Sequence, residues 1–371
     1  MTATPVWEDG AALPLAALAG DVETDVCVVG LGGAGLAATL ELLALDQHVV
    51  GLDAGPIGGS ASGRNGGFLL AGLPAFYHDA VKAIGRERAR RIYRRTIDEL
   101  DRMTAETPAN IRRTGSLRIA ADETEAADCE RQRAAMIEDG LPVEPYRGPE
   151  GTGLLIPGDG VFNPLRRCRT LAARAIERGA RLFEHSRARE ISASRVATDD
   201  GTVHCRKVIV AVDGGLGMVL PELAPRVRTA RLQMLATEPL PVTRFTRPVY
   251  RRWSYDYWQQ LPDGSIALGG GRDRGGETEW TSDARTTEAV QRYLDVTLRD
   301  TVGVDARVVR RWAAIVGYSG DGMPVVTEAR PGVWAAGGYS GTGNILGPVC
   351  GRGMAQLVAR GTTELLAGLR G

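Results

Sequence analysis

The most restrictive feature of this chain is a glycine triplet set at one point of its hydrophobic pattern. Asp25-Val-Cys-Val-Val-Gly30 reads as a short buried strand, Gly32 to Asp46 as a helix, and His48-Val-Val-Gly-Leu-Asp53 as a second strand. Between the first strand and the helix stands Gly30-Leu-Gly32-Gly33-Ala34-Gly35, which fits G-x-G-x-x-G. In that pattern the first glycine makes the tight turn and the second lets the backbone approach a diphosphate. The third allows close helix–strand packing. The free amides and positive end of the helix then attract the anion. Asp53 closes the second strand, where a carboxylate accepts hydrogen bonds from a ribose and disfavours a 2′-phosphate. A dinucleotide site is therefore expected at these residues, continuing into Ala54.

The rest of the composition narrows the class. The 371 residues carry 45 Lys+Arg against 45 Asp+Glu, so the chain lacks the basic balance that nucleic-acid binding needs. At 43% hydrophobic and 24% charged it is ordinary globular material. Its 48 glycines exceed the average share of about 7%. They gather at 30–35, 55–67, 269–276 and 337–353, as close backbone–ligand contacts require. Five cysteines without paired spacing indicate neither a disulfide framework nor a zinc site, and no metal is expected. The start lacks a basic stretch followed by an apolar core, and no apolar run approaches the ~20 residues of a membrane span. A cytoplasmic protein is expected, and the sequence leaves its oligomeric state open.

Beyond Asp53 the pattern does not continue as alternating strands and helices. It enters Gly58-Gly-Ser-Ala-Ser62-Gly63-Arg64-Asn65-Gly66-Gly67, a loop able to wrap a second cofactor segment with its amides and Arg64. Near the other end, Gly337-Gly338-Tyr-Ser-Gly341-Thr342-Gly343-Asn344 precedes a final helix expected over 346–366. Two such clusters flanking nucleotide-type elements favour FAD over NAD. Between them lie helices expected at 75–84, 86–106, 122–139, 164–178 and 284–300 and strands over 226–237 and 249–271. Another apolar strand is expected at 208–212, and Pro262-Asp263-Gly264 reads as a hairpin turn.

Residues 20–67 resemble the D-amino-acid oxidase superfamily of flavoproteins, most closely its γ-glutamylputrescine oxidase and glycine oxidase branch. The likeness continues in Pro157-Gly-Asp-Gly-Val-Phe-Asn163-Pro164, in Ile209-Val-Ala211-Val-Asp213-Gly214, and in Asp321-Gly-Met-Pro324 leading to Gly338-Tyr-Ser-Gly-Thr-Gly343. The resemblance implies an α/β fold: a Rossmann-like FAD-binding domain interleaved with an antiparallel-sheet substrate domain. The expected FAD-binding segments are 1–108, 151–225 and 311–371, and the substrate segments 109–150 and 226–310. The residues matched to FAD are those of the first turn, Asp53, Ala54, Ser62 to Gly67, Ala211, Gly338, Gly341, Thr342, Gly343 and Asn344.

The resemblance further implies oxidation of a C–N bond, with hydride passing to flavin N5, hydrolysis of the imine, and reduction of O2 to H2O2. A dehydrogenase passing electrons to a quinone or carrier is the alternative, and glycine or D-amino-acid oxidation a further one. Relatives that tether flavin through Cys have it where this chain has Ala314, so FAD is expected to be non-covalent. Relatives that grip an α-carboxylate place an Arg where this chain offers Val316, which favours a primary or secondary amine. Arg64, Arg251 and Arg252 are the arginines that could still take a carboxylate. The expected substrate wall is Tyr250-Arg-Arg-Trp253-Ser-Tyr255-Asp-Tyr257-Trp258, where strand alternation would put Trp253, Tyr255 and Tyr257 on one face. Tyr255, Tyr257 and Tyr318 are the candidate orienting groups, since no histidine falls in these segments.

Overall fold

The computed structural model describes residues 3–10 and 13–369. The chain forms two compact units, each assembled from separated segments. One comprises the N-terminal residues to Asp9, Arg64–Asn163 and Arg231–Ile315; the other comprises Gly10–Gly63, Pro164–Ala230 and the chain from Val316 onward.

The second of these contains the glycine triplet. Its sheet has six strands in the order Arg181–Phe183, Val49–Leu52, Val26–Val29, Lys207–Val210, Val333–Gly337 and Val325–Arg330. The first five run parallel and the last antiparallel. Continuous Val/Ile/Leu runs dictate this, because a strand buried on both faces has no polar side to turn outward. Cys27, Val29, Val50, Leu52, Val208, Val210 and Ala335 build its core. Helix Gly33–Leu43 packs backbone-close against helix Gly343–Arg360. A Cβ on Gly351 would lie 2.0 Å from the Ala34 carbonyl oxygen, and one on Gly347 3.5 Å from the Ala34 Cβ. The last helix thus begins earlier than expected and stops at Gly361, which is left-handed at φ +76°.

The other unit is built on eight strands. Their order is Val308–Tyr318 (within this unit to Ile315), Arg228–Thr237 (within it from Arg231), Ile266–Gly270, Asp256–Gln260, Val249–Arg251, Ser116–Ile119, Gly151–Ile156 and Glu144–Gly148. Alternation splits this sheet into two faces. Leu117, Ile119, Leu235, Val249, Trp258 and Leu268 form an apolar face, covered by Val290, Leu294 and Leu298 of helix Glu288–Asp300. Arg118, Tyr250, Tyr257 and Gly269, directly opposite one another across four strands, occupy the other.

The aromatic stretch departs from the expected single strand. Arg252, Trp253 and Ser254 are left-handed, at φ +54°, +49° and +68°, and close a hairpin between Val249–Arg251 and Asp256–Gln260. The buried Glu125 carboxylate fixes this turn by accepting the amides of Arg252 (3.0 Å) and Trp253 (2.6 Å). Trp253 also donates its indole N–H to Asp128 at 2.9 Å. Alternation therefore stops at Asp256: Trp253 and Tyr255 sit on the turn, 40% and 36% exposed, and do not share the face of Tyr257. Trp258 is 2% exposed and belongs to the apolar core rather than to a pocket. No helix among the described residues is long and apolar enough to cross a membrane.

Candidate cofactor and substrate site

The first turn of the parallel unit is built as the glycine pattern requires. Gly30 has φ +95°, and a Cβ there would meet the Ala211 carbonyl oxygen at 2.5 Å; one on Gly35 would meet the Gly30 oxygen at 1.8 Å. Gly32 and Gly33 are half-exposed, and the Gly33 amide donates to Ser62 Oγ at 3.0 Å. The amides of Gly32, Ala34 and Gly35 carry no hydrogen bond among the described residues, as the first turn of a helix leaves them. Asp53 stands at the same edge. Its Oδ2 accepts from the Leu31 amide at 2.8 Å and its Oδ1 from the Gly55 amide at 3.0 Å. Burial raises its carboxyl pKa against these amides, with Glu184 adding to the rise. Ala54 is exposed beside it, and Gly63 is buried against the Gly58 carbonyl.

A second helix N-terminus lies in the same unit. Gly338 and Gly341 are left-handed, at φ +66° and +94°, and deliver the chain to Thr342, Gly343 and Asn344 at the half-exposed start of the last helix. Asp213, itself at φ +41°, braces this turn by accepting the amides of Gly317 at 3.1 Å and Tyr339 at 3.2 Å. Tyr318 pairs with Tyr339 across the turn, and Val316 is buried. Asp213 stands in the segment Ile209–Gly214 that carries the resemblance, but its bracing role was not legible there, because the amides it accepts lie more than a hundred residues away.

Burial raises the carboxyls of Asp213 and, in the other unit, Asp159 to about 6, against the amides and hydroxyl that bond them. In the fold each stays protonated where the unfolded chain, at about 3.9, is already ionised. The native state then holds more protons between about pH 4 and pH 6, so both groups lower stability as pH rises through that window. Asp159→Asn mimics the protonated form. The melting temperature of the variant relative to the parent is expected to climb between pH 4.5 and 7; a constant difference would refute the assignment.

The glycine loop continues into the eight-stranded unit, where its backbone is clamped. Trp312 Nε1 donates to the Arg64 carbonyl (2.8 Å), Trp7 Nε1 to that of Asn65 (2.7 Å) and Gln259 Nε2 to that of Gly66 (2.5 Å). The Asn65 side chain accepts the Gly67 amide at 2.8 Å. A Cβ on Gly66 would press the Tyr257 ring at 3.1 Å. Arg64 is used structurally: its Nε donates to the Ala313 carbonyl and its Nη2 to that of Ala3, at 2.8 and 2.9 Å. Beside the loop, Phe68 meets Tyr250 and Tyr257 edge-on at centroid distances of 5.1 and 5.7 Å. Arg251 reaches back to the Ala121 carbonyl. Tyr255 lies under the guanidinium groups of Arg252 and Arg272. The sequence reading missed Gln259, Trp312, Trp7 and Phe68, because clamping from distant strands leaves no local pattern.

The family described as DAO, FAD dependent oxidoreductase, matches residues 25–357. The chain belongs to that family. Gamma-glutamylputrescine oxidoreductase of Escherichia coli (strain K12) is 28% identical over 95% of this chain and 87% of its own length. The probable oxidoreductase OrdL of Rhizobium meliloti (strain 1021) is 27% identical over 93% and 85% respectively. Among solved structures, glycine oxidase from Geobacillus kaustophilus shares the fold with a TM-score of 0.75 at 22% identity, over 94% of this chain and 98% of that one. L-proline dehydrogenase from P. horikoshii gives 0.76 at 19%, over 94% and 96%. The protein is an FAD-dependent oxidoreductase, of the α/β class expected, and FAD is its cofactor. The residues present fit that group. The amides of Gly32, Ala34 and Gly35 at the glycine-lined start of the first helix carry no hydrogen bond among the described residues and suit a diphosphate, and Asp53 at the same edge suits a ribose.

Proposed function

We propose that this flavoprotein oxidises the C–N bond of a primary or secondary amine, with O2 as final acceptor. Bound FAD would supply the two-electron acceptance, and the chain the positioning and the dry surroundings. In this reading the parallel unit holds the cofactor through Gly30–Gly35, Asp53, Ser62, Ala211 and Gly338–Asn344, and the eight-stranded unit serves the substrate.

The observation that carries the reading is the aromatic corner of Phe68, Tyr250 and Tyr257 set against the glycine loop Arg64–Gly67. Ring faces attract an amine and exclude water, and desolvation lowers its pKa toward the neutral, reactive form. Tyr257 is the group assigned to hold the amine at the roughly 3–3.5 Å that reaction requires. Tyr255, stacked with two arginines, faces cationic surroundings that would repel one, and Tyr318 stands at the glycine turn of the other unit. Val316 offers no charge to an α-carboxylate.

Purified protein is expected to be yellow, to bleach anaerobically with an amine, and to regain colour in air with release of peroxide. Recovery only with an artificial acceptor would identify a dehydrogenase instead. Failure of every amine to bleach the flavin would overturn the proposal. Acid precipitation is expected to leave the flavin in the supernatant: Ala314 occupies the tether position and all five cysteines are buried. A yellow pellet would contradict non-covalent binding.

A further inference from the structure

A polar cavity of about 20 Å³ lies inside the eight-stranded unit, lined by Tyr93, Ser116, Arg118, Gln132, Asp159 and Tyr250 among others. That is room for one oxygen-sized group. Asp159 is already served: Oδ1 accepts the Ala71 amide at 2.9 Å and Oδ2 the Ser116 hydroxyl at 2.6 Å. What remains unused around the cavity is donors. Arg118 lies over the Phe76 ring and bonds only through Nη1, to Gln132 Oε1 at 2.9 Å. The hydroxyls of Tyr93, itself 6% exposed, and Tyr250 have no hydrogen-bond partner among the described residues. Tyr93 is buried and Arg118 and Tyr250 are half-buried. Donors that line a polar cavity without an acceptor invite an occupant that supplies one.

The register gives the cavity's distance from the aromatic corner. Tyr257 lies opposite Tyr250 on the next strand, and Tyr250 opposite Arg118 on the next. Two strand spacings of about 4.8 Å separate Tyr257 from Arg118 by roughly 10 Å along one sheet face. Tyr250 borders both ends, with its ring on Phe68 and its place in the cavity wall.

We infer that Arg118, Tyr93 and Tyr250 form a distal subsite for an acceptor oxygen, a carboxylate or carbonyl, at the far end of an elongated amine. This rests on the amine reading above, with the reacting nitrogen at Tyr257. The substrate class that follows is an extended amine with an oxygen-bearing tip some 10 Å away; glycine and other small amino acids are too short to reach both ends.

The test uses the FAD-loaded protein and two series of equal length: ω-amino acids from 4-aminobutanoate to 8-aminooctanoate, and the matching n-alkylamines. Anaerobic flavin reduction is expected to favour the oxygen-tipped series by roughly tenfold to a hundredfold at the spanning length, and not at the shortest. Tyr250→Phe, which removes one oxygen and keeps the ring, and Arg118→Met are each expected to collapse that preference. The n-alkanoates cannot reduce flavin. Their binding, followed by perturbation of the flavin absorption band, is expected to weaken in the same variants. Bleaching by amines with no preference for an oxygen tip would overturn the subsite and leave the amine reading intact. Alkanoate binding that depends on Arg118, with no amine able to bleach the flavin, would uphold the subsite and overturn the amine reading.

Discussion

Gly35→Ala is expected to purify colourless and to melt far below the parent. The added Cβ would stand 1.8 Å from the Gly30 carbonyl oxygen and 3.0 Å from its carbon, both backbone atoms. Relief would have to come from the strand–turn–helix junction itself. That junction is braced by the bond from the Gly30 amide to the Leu52 carbonyl (2.8 Å) and by the Ala211 carbonyl against Gly30. Overpacking a fixed core costs about 1–3 kcal/mol and occasionally more, and a clash between two backbones belongs at the upper end. Gly32→Val separates stability from cofactor binding. A Cβ at Gly32 would meet only the Ser62 side chain, Oγ at 2.4 Å and Cβ at 3.2 Å, and a serine side chain can turn away where a backbone cannot, so the protein stripped of flavin is expected to lose less stability than Gly35→Ala. Its FAD affinity is nonetheless expected to fall more than about tenfold, because the second glycine of the pattern is the one whose missing side chain lets the diphosphate approach. Thermal melts of the stripped proteins and flavin titrations check both. Retention of FAD by Gly32→Val would show that the diphosphate does not lie on this turn.

Arg231→Met is expected to destabilise the eight-stranded unit by about 3–5 kcal/mol. Arg231 bonds Glu279 through Nε and Nη2, both at 2.9 Å, and Gln233 and Thr287 add donors at 2.8 and 3.1 Å. The carboxylate is wholly buried and the guanidinium nearly so. Burial alone would raise the pKa of Glu279; the hydrogen bonds from Arg231 and Gln233 overcome it and hold the group below its ordinary value. Removing the cation strands an ionised or newly protonated acid in the interior. Replacing both partners together, Arg231→Met with Glu279→Leu, is expected to recover much of the loss, since a buried pair often yields to apolar residues of similar volume. Denaturant unfolding of the single and double variants reads the difference. A single-variant loss below about 1 kcal/mol would mean that the pair is not sealed from water.

Comparison of particular elements shows what each level decided. The parallel strands, the glycine turn and Asp53 were legible because their signals are local. A two-faced burial demands an unbroken apolar run, and a close backbone approach demands glycine at fixed offsets. Gly347 and Gly351 also stood in the sequence at one-turn spacing, though their use against Ala34 did not. The aromatic stretch was misread for a definite reason. Alternation assumes an unbroken strand, and Glu125, more than a hundred residues away, bends this one by accepting two successive amides. That turn moves Trp253 and Tyr255 out to the surface and leaves Trp258 in the core, so only Tyr257 of the expected face remains on it.

Hydrophobic period and glycine spacing thus determined the parallel unit and its glycine turn, since those constraints act between neighbours in the chain. Tertiary structure alone decided the proposed substrate face. Phe68, Tyr250, Tyr257 and Arg118 come together only through strand register, and Trp7, Gln259 and Trp312 clamp the glycine loop from three separate segments. Such contacts depend on long-range pairing, whose free energy is shared among many strands and therefore leaves no mark in any one stretch of sequence.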